Sequence, residues 1–156
     1  MLRKTPLKRG IKQLKRSGFQ KKTKPTLNRQ IGGNKAKSKP ISKLKKELWK
    51  YFSLYIRQRD NFTCFTCGRK GEGSAMHAGH FISKSVGGIA LYFHEENVHA
   101  QCYNCNINLS GNQYEYAKRL GFDKADELYR IKNQVTEKWS AQDYESKIIY
   151  YKNLVI

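Results

Sequence analysis

The chain has 156 residues, of which 31 are Lys or Arg and 12 are Asp or Glu, and its formal net charge is +19. This length predicts one domain with one modest core rather than two. No apolar run reaches the ~18 residues that a membrane span requires, and no apolar stretch follows the basic start as it would in a signal peptide. We therefore expect a cytoplasmic protein with no membrane partner.

The positive charge is concentrated near the N-terminus. Residues 1–50 contain 18 of the 31 basic side chains and a single acidic one, Glu47, which leaves a net charge of only +2 for the rest of the chain. Residues 1–40 are also rich in Gly, Ser, Thr and Lys, which predicts a disordered basic arm with a polyanionic partner, most commonly nucleic acid. A solubilising tail is the alternative. The candidate DNA-binding residues of the arm are Lys8, Arg9, Lys15, Arg16, Lys21 and Lys22.

A helical pattern begins after Pro40. Five apolar residues recur there at helical spacing: Leu44, Leu48, Phe52, Tyr55 and Ile56. They predict a helix over about residues 42–59, with Ser42 as its N-cap. The single apolar face of this helix is expected to dock on the remainder of the domain, which we place at residues 41–156.

The rest of the chain predicts an α+β domain. Two short β-prone runs, residues 78–83 and 88–93, predict a strand pair, and residues 102–120 predict a helix that starts at the second of two cysteine pairs. Beyond residue 125 the apolar spacing predicts two more helices, joined near residues 136–142. Their helical spacing also assigns the aromatic side chains of this segment to the core, among them Tyr129, Trp139, Tyr144 and Tyr151.

The four cysteines form two C-x2-C pairs, Cys64 with Cys67 and Cys102 with Cys105, with 34 residues between the pairs. A two-residue gap lets paired cysteines bend round one tetrahedral zinc ion, and Gly68 supplies permissive backbone for such a knuckle. Four thiolates leave no open position for water or substrate, so the predicted zinc site is structural. Four free or catalytic thiols are the alternative.

The insert between the cysteine pairs carries all the histidines of the chain: His77, His80, His94 and His99. Asn97 precedes the second pair, and Asn106 directly follows it. A lone histidine is more often structural. A set of histidines inside a zinc frame, attached to a basic arm, instead indicates phosphodiester hydrolysis, which uses a general base and a divalent cation.

An ordered string of motifs resembles the zinc-bearing HNH (ββα-metal) nucleases. Residues 56–68 look like the start of such a domain, and Asn97 ahead of the second cysteine pair and Asn106 looks like its second half. More narrowly, Ala-Gly-His-Phe-Ile-Ser at 78–83, Asn-Val-His-Ala-Gln-Cys at 97–102 and Leu-Ser-Gly-Asn at 109–112 resemble the phage NinG (Rap) recombination endonucleases. The likeness covers about residues 56–120.

The resemblance implies a small ββα-metal motif on a four-cysteine zinc knuckle, flanked by helices. It also implies an endodeoxyribonuclease that acts on branched recombination intermediates, such as Holliday junctions or D-loops, in the cytoplasm of a bacterial host cell. His80 matches the general base of the motif, and Asn97 matches the central Asn that braces the loop between the strands. Asn106 falls where the last residue of the motif binds the catalytic cation.

One position departs from the HNH pattern. The residue before the base histidine is usually a metal-ligating Asp or His, but here it is Gly79. His77 lies two residues earlier on the same face of a strand and could take its place as a ligand. His99 is a further candidate, as a ligand or phosphate contact, and His94 is expected at the solvated surface. The oxygen ligand favours Mg²⁺ or Mn²⁺ as the catalytic cation, whereas two imidazoles would favour softer ions.

Three functions are compatible with the sequence. The leading one is a metal-dependent DNA endonuclease, and the second is a zinc-stabilised DNA-binding protein that has lost catalysis at Gly79. The third is an RNA-binding module. The histidines beside the second cysteine pair favour the first function, because binding alone needs no general base. A twofold homodimer would cut a symmetric junction on both strands most easily, but the sequence leaves the oligomeric state open.

Overall fold

The computed structural model describes residues 39–134 and 136–155. The six candidate DNA-binding residues of the basic arm lie outside these ranges. The elements follow one another as α1 Ile41–Arg59, β1 Met76–His80, α2 Gly88–Tyr92, β2 Val98–Cys102, a π-helical turn Asn104–Asn108, α3 Gln113–Leu120, α4 Phe122–Gln134 and α5 Ala141–Leu154. This mixture of helices with one two-stranded sheet is the predicted α+β class. None of the described helices is both long enough and apolar enough to cross a membrane.

Helix α1 matches its predicted range closely. Four of the five residues predicted for its apolar face are buried, Leu44, Leu48, Phe52 and Ile56, and the fifth, Tyr55, is half-buried. The predicted N-cap is wrong, because Pro40 occupies the cap position and its carbonyl accepts the amides of Lys43 at 2.9 Å and Leu44 at 3.1 Å. Ser42 lies inside the first turn of the helix rather than at the cap position, and the Lys43 amide that a capping side chain could accept is bonded by the Pro40 carbonyl.

The larger hydrophobic core lies between α1 and α5. Phe52 packs edge-on against Phe93 and Tyr151, with ring centroids 5.5 and 5.1 Å away. The hydroxyls of Tyr55 and Tyr151 both donate to the carboxylate of Glu95, at 3.0 and 2.9 Å. Because Glu95 lies in the turn before β2, these hydrogen bonds fix both helices to the sheet.

The predicted pair of C-terminal helices is present. Helix α5 begins in a capping box in which the Ser140 hydroxyl accepts the Asp143 amide at 3.3 Å and the Asp143 carboxylate accepts the Ser140 amide at 2.7 Å. Tyr144 and Tyr151 are buried as predicted. Tyr129 is 44% exposed, so its predicted core position is wrong. Other residues of α4, Ala125 and Leu128, take the buried positions instead.

The sheet pairs β1 with β2 in antiparallel register, with Met76 opposite Cys102 and His80 opposite Val98. The predicted second strand over residues 88–93 is wrong, because that run forms α2. There the Leu91 carbonyl accepts a hydrogen bond from the Asn97 side chain at 2.9 Å instead of pairing with a neighbouring strand. The true second strand alternates apolar and polar residues, Val-His-Ala-Gln-Cys, which is the period of a half-buried strand.

The predicted helix over residues 102–120 is interrupted. After the π-helical turn, Ser110, Gly111 and Asn112 adopt positive φ angles of 48°, 89° and 48°. A right-handed helix does not continue through left-handed residues, so α3 starts anew at Gln113. The Gly111 amide closes the preceding turn by donating to the Cys105 carbonyl at 2.9 Å.

Candidate functional site

The four cysteine sulfurs converge at one end of the sheet. All four Sγ atoms lie within 4.8 Å of one another. Cys102 ends β2, and Cys105 lies on the π-helical turn. Cys64 and Cys67 lie on a turn after α1, closed by the Gly68 amide, which donates to the Cys64 carbonyl at 2.8 Å. Gly68 has a φ of +75°, which explains the glycine at this position.

The cysteine cluster fits a metal such as zinc. Tetrahedral zinc with Zn–S bonds of about 2.3 Å places its sulfurs about 3.8 Å apart, and Cys67 Sγ lies 3.8 Å from Cys102 Sγ. Burial alone would raise the pKa of Cys64, but the Thr66 hydroxyl and the amides of Cys102 and Cys67 lower it to about 6. These donors favour the thiolate, which is the form that binds metal.

A cleft beside β1 brings together three of the predicted site residues. It consists of two adjoining hollows that share Ala78, Lys84 and Asn106 in their walls. His77 lines the first hollow and His80 lines the second. The predicted general base and both predicted cation ligands therefore flank one opening, which we call the cleft.

His80 is held on two sides. Its ring stacks on Trp49, with centroids 5.3 Å apart, and its Nε2 lies 3.0 Å from the carbonyl oxygen of Tyr92. Because a carbonyl can only accept, Nε2 carries the proton and Nδ1 keeps a lone pair. Burial, with a smaller contribution from the Lys84 charge, lowers the pKa of His80 to about 4. The ring is therefore neutral at pH 7 and able to accept a proton.

His77 and Asn106 meet across the cleft wall. Asn106 Nδ2 lies 3.0 Å from His77 Nδ1, so the amide donates to the imidazole. The exposed ring of Tyr103 packs edge-on against His77, with centroids 5.8 Å apart. β1 positions His77 and the π-helical turn positions Asn106, so their contact joins the two elements.

The cleft also contains two cations that the sequence analysis did not single out. Arg57 of α1 lines the first hollow, where it donates to the carbonyls of Ser53 and Gly73, each at 3.0 Å. Lys84 lines both hollows, with its ammonium group 5.3 Å from the centre of the Trp49 ring. Among the residues that the structure describes, no Asp or Glu lines either hollow. The cleft is thus suited to an anion.

Asn97 lies behind the cleft and is fully buried. Its Oδ1 accepts the Ile82 amide at 2.7 Å, and its Nδ2 donates to the carbonyls of Ile82 at 3.0 Å and Leu91 at 2.9 Å. The Tyr116 hydroxyl bonds the Gly79 carbonyl at 3.2 Å beneath the same loop. Asn97 therefore acts on the backbone between the strands, which holds His80 in place, and does not itself line the cleft.

The other two histidines lie away from His77 and His80. His99 stacks on Phe65 at 3.8 Å, and its Nδ1 lies 3.1 Å from the Asp60 carboxylate. Burial would raise the pKa of Asp60, but hydrogen bonds from His99, Arg59 and the Ala100 amide together lower it to about 2. His99 thus belongs to a partly buried ion-pair network that the sequence analysis missed, because its partners lie about 40 positions away in the sequence.

His94 is half-buried rather than fully solvated. Its Nδ1 is buried, and no described group bonds it. The amide of His94 donates to the Leu91 carbonyl at 3.4 Å, which folds the segment between α2 and β2 back on itself. Nothing in the sequence marks this residue as different from a solvated histidine.

Known proteins agree with the motif resemblance at the level of the family. A family model described as "Bacteriophage Lambda NinG protein" matches residues 2–155. The chain belongs to the NinG family. This NinG-family chain is 30% identical over 110 residues to "Protein ninG" of Escherichia phage lambda, which covers 67% of the chain and 52% of the relative.

Two further relatives show the same limited overlap. "Protein ninG" of Escherichia phage 933W is 30% identical over 110 residues, or 67% of this chain and 53% of the relative. "Protein ninG" of Salmonella phage P22 is 33% identical over 95 residues, or 58% of this chain and 46% of the relative. The NinG-family chain spans about half the length of the curated relatives it matches. No solved structure matches it.

Removal of metal from the cysteine cluster is expected to destabilise the fold. Zinc binding contributes about 10–16 kcal/mol in zinc-finger peptides, and here the ion would join the turn after α1 to the end of β2. We expect one zinc per chain by elemental analysis, and a large fall in the thermal unfolding temperature when a strong chelator removes it. Added zinc should restore the transition.

The variant Cys102→Ser tests the same site without a chelator, and it should lower both the zinc content and the unfolding temperature. Purified protein that contains no zinc, and whose unfolding temperature is unchanged by the chelator, would contradict a structural zinc site.

Proposed function

We propose that this NinG-family protein is a metal-dependent endodeoxyribonuclease with an HNH-type site. It would hydrolyse phosphodiester bonds, with branched recombination intermediates such as Holliday junctions or D-loops as the favoured substrates. The observation that carries the proposal is the cleft, where a neutral histidine, a His–Asn pair and two cations lie together. Binding alone would need the cations but not the histidines.

His80 is suited to act as the general base. The Tyr92 carbonyl holds its Nε2 proton, so Nδ1 is the atom available to take a proton from the attacking water. Burial and Lys84 keep the pKa of the ring low before substrate binds. An anionic phosphate in the cleft would favour the protonated ring and raise that pKa, which strengthens the base when the substrate is present.

His77 and Asn106 would hold the catalytic cation, Mg²⁺ or Mn²⁺. Their side chains lie within hydrogen-bond distance of each other, which places both head groups side by side at the cleft wall. Asn106 offers a hard amide oxygen, the ligand type that these ions prefer. A bound cation supplies stabilisation of the charge that develops on the phosphate and the leaving oxygen.

Arg57 and Lys84 would receive the DNA backbone. Arg57 is anchored by two carbonyls, and Lys84 lies over Trp49. Phosphate contacts of this kind position a duplex without reading its sequence. The basic arm would add further phosphate contacts of the same kind, which fits branched DNA and nonspecific cleavage of duplex DNA equally well.

A catalytically inactive DNA-binding protein is the second candidate, and Gly79 is the observation that favours it. The position before His80 has no side chain, whereas the HNH pattern has a metal ligand there. The two candidates differ in one measurable property, because both bind DNA and only the nuclease cuts it when a divalent cation is added.

His80→Ala is expected to lower the cleavage rate about 10²- to 10⁴-fold, the usual contribution of a general base, while DNA binding persists. End-labelled linear duplex, fork and four-way junction should be compared in Mg²⁺, Mn²⁺ or EDTA. His94→Ala is the matched control, since it also removes a partly buried imidazole but lies outside the cleft.

Two results would count against the nuclease. Wild-type protein that binds DNA but does not cut it with any divalent cation would favour the inactive binding protein. Equal loss of cleavage in both histidine variants, with lowered unfolding temperatures, would assign the effect to stability rather than to a base.

The basic arm is expected to supply phosphate contacts. Replacing Lys8, Arg9, Lys15, Arg16, Lys21 and Lys22 by Gln should flatten the plot of log binding constant against log salt, since each phosphate contact contributes about −0.9 to its slope. The control variant replaces three exposed lysines by Gln: Lys118, Lys138 and Lys152. Fluorescence anisotropy with duplex and junction DNA measures both slopes, and an unchanged slope in the arm variant would mean that the arm does not contact phosphates.

A further inference from the structure

Gly79 faces a buried glutamine on the neighbouring strand. A Cβ atom at position 79 would collide with Gln101 Oε1, and it would lie 3.0 Å from Asn106 Oδ1. The glycine is therefore required by the side chain of Gln101, which occupies the space that an Asp or His at position 79 would need. Two amide oxygens from different elements thus approach the same point above Gly79.

The oxygen of Gln101 has no partner in the described part of the chain. Gln101 is fully buried, and its Nε2 donates to the Gly111 carbonyl at 2.8 Å and the Thr66 hydroxyl at 3.3 Å. Because a carbonyl can only accept, these bonds fix which end of the amide carries the oxygen. Oε1 is buried and has no hydrogen-bond partner among the residues that the structure describes. A buried acceptor without a donor or a cation is unfavourable, so this atom requires an explanation.

Asn106 presents its oxygen to the same point. Its Nδ2 is engaged by His77 Nδ1 at 3.0 Å, so Oδ1 turns towards Gly79 and Gln101. Two partly negative oxygens that both lie close to one point repel each other. A hard divalent cation removes this repulsion, and amide carbonyl oxygens are among the ligands that Mg²⁺ and Ca²⁺ accept.

We propose that Gln101 Oε1 and Asn106 Oδ1 are ligands of one hard divalent cation beside Gly79, behind the part of the cleft wall that Asn106 forms. The inference rests on the proposed function and deepens it, because Gln101 would supply from β2 the ligand that Gly79 cannot supply from β1. Both oxygens are neutral, and no carboxylate of residues 39–134 and 136–155 lines the cleft. The cation is therefore expected to bind weakly to the protein alone and more tightly when phosphate oxygens complete its shell.

Two substitutions separate a ligand from a residue that only supports the fold. Gln101→Met removes the oxygen and the amide donor but keeps the length of the side chain. Gln101→Glu also loses the amide donor but keeps an oxygen at Oε1. A purely structural role predicts similar damage in both variants. A ligand role predicts that only Gln101→Met loses the cation, since a carboxylate oxygen is an equal or better ligand.

Cation binding is measured directly on the full, zinc-loaded chain. Electron paramagnetic resonance of free Mn²⁺ gives the affinity, and Mn²⁺ broadening of the Gln101 and Asn106 side-chain amide signals in ¹⁵N spectra gives the location. We expect those two signals to broaden first in the wild-type protein. Gln101→Met should weaken Mn²⁺ binding at least about tenfold, and Gln101→Glu should bind Mn²⁺ at least as tightly as wild type.

Gly79→Ala provides an independent test, because its methyl group would displace the Gln101 oxygen without changing either ligand residue. It should also weaken Mn²⁺ binding. Zinc content and unfolding temperature are measured for every variant, and Gln101→Met is compared with Gln101→Glu at matched stability.

The outcomes distinguish the ligand proposal from the nuclease proposal. Equal Mn²⁺ affinity in wild type and Gln101→Met, or equal loss in the Met and Glu variants, would overturn the Gln101 ligand and leave the cleavage test at His80 untouched. Broadening at His77 and Asn106 without Gln101 would overturn it as well. Mn²⁺ binding at Gln101 in a protein that never cuts DNA would support the site and contradict the nuclease.

Discussion

The arrangement of the cleft depends on the convergence of four cysteine thiols at one end of a two-stranded sheet. Cys64 and Cys67 come from the turn after α1, while Cys102 and Cys105 flank the end of β2. A zinc ion at their centre would tie these segments into one rigid frame. Asn106 directly follows the last cysteine, so the frame that fixes the cysteines also fixes the residue that meets His77.

A second constraint acts at the opposite end of the sheet. The Asn97 side chain forms hydrogen bonds with the backbone amide and carbonyl of Ile82 and with the carbonyl of Leu91. These bonds determine the shape of the segment between the strands. That segment presents the Tyr92 carbonyl to His80. The proposed base is thus oriented by a buried asparagine, and the proposed cation ligands by the cysteine cluster. Both sets of residues are therefore oriented by contacts within the protein, and a preorganised hydrolytic site requires such fixed positions.

Features with a local signature were predictable from the sequence. The C-x2-C pairs, the apolar face of α1 and the motif around His80 are defined by spacing over a few residues. Features that depend on contacts between distant segments were not. The segment predicted as a second strand forms α2, and the Asn97 side chain bonds backbone groups 6 and 15 positions away. Such hydrogen bonds produce no periodic pattern in the sequence. Gln101 fills the space above Gly79 from the other strand. The sequence does not show this contact, so Gly79 was interpreted there only as a position that lacks a metal ligand.

The most direct test of His80 as the proton acceptor is chemical rescue. In His80→Gly the space beside Trp49 and the Tyr92 carbonyl can admit free imidazole, and cleavage of junction DNA is measured against imidazole concentration at fixed Mg²⁺. We predict that imidazole raises the rate of this variant in a saturable way and does not raise that of Asn106→Ala. An imidazole-independent rate in His80→Gly, with wild-type cleavage intact and the variant folded and bound to DNA, would contradict a general base at this position.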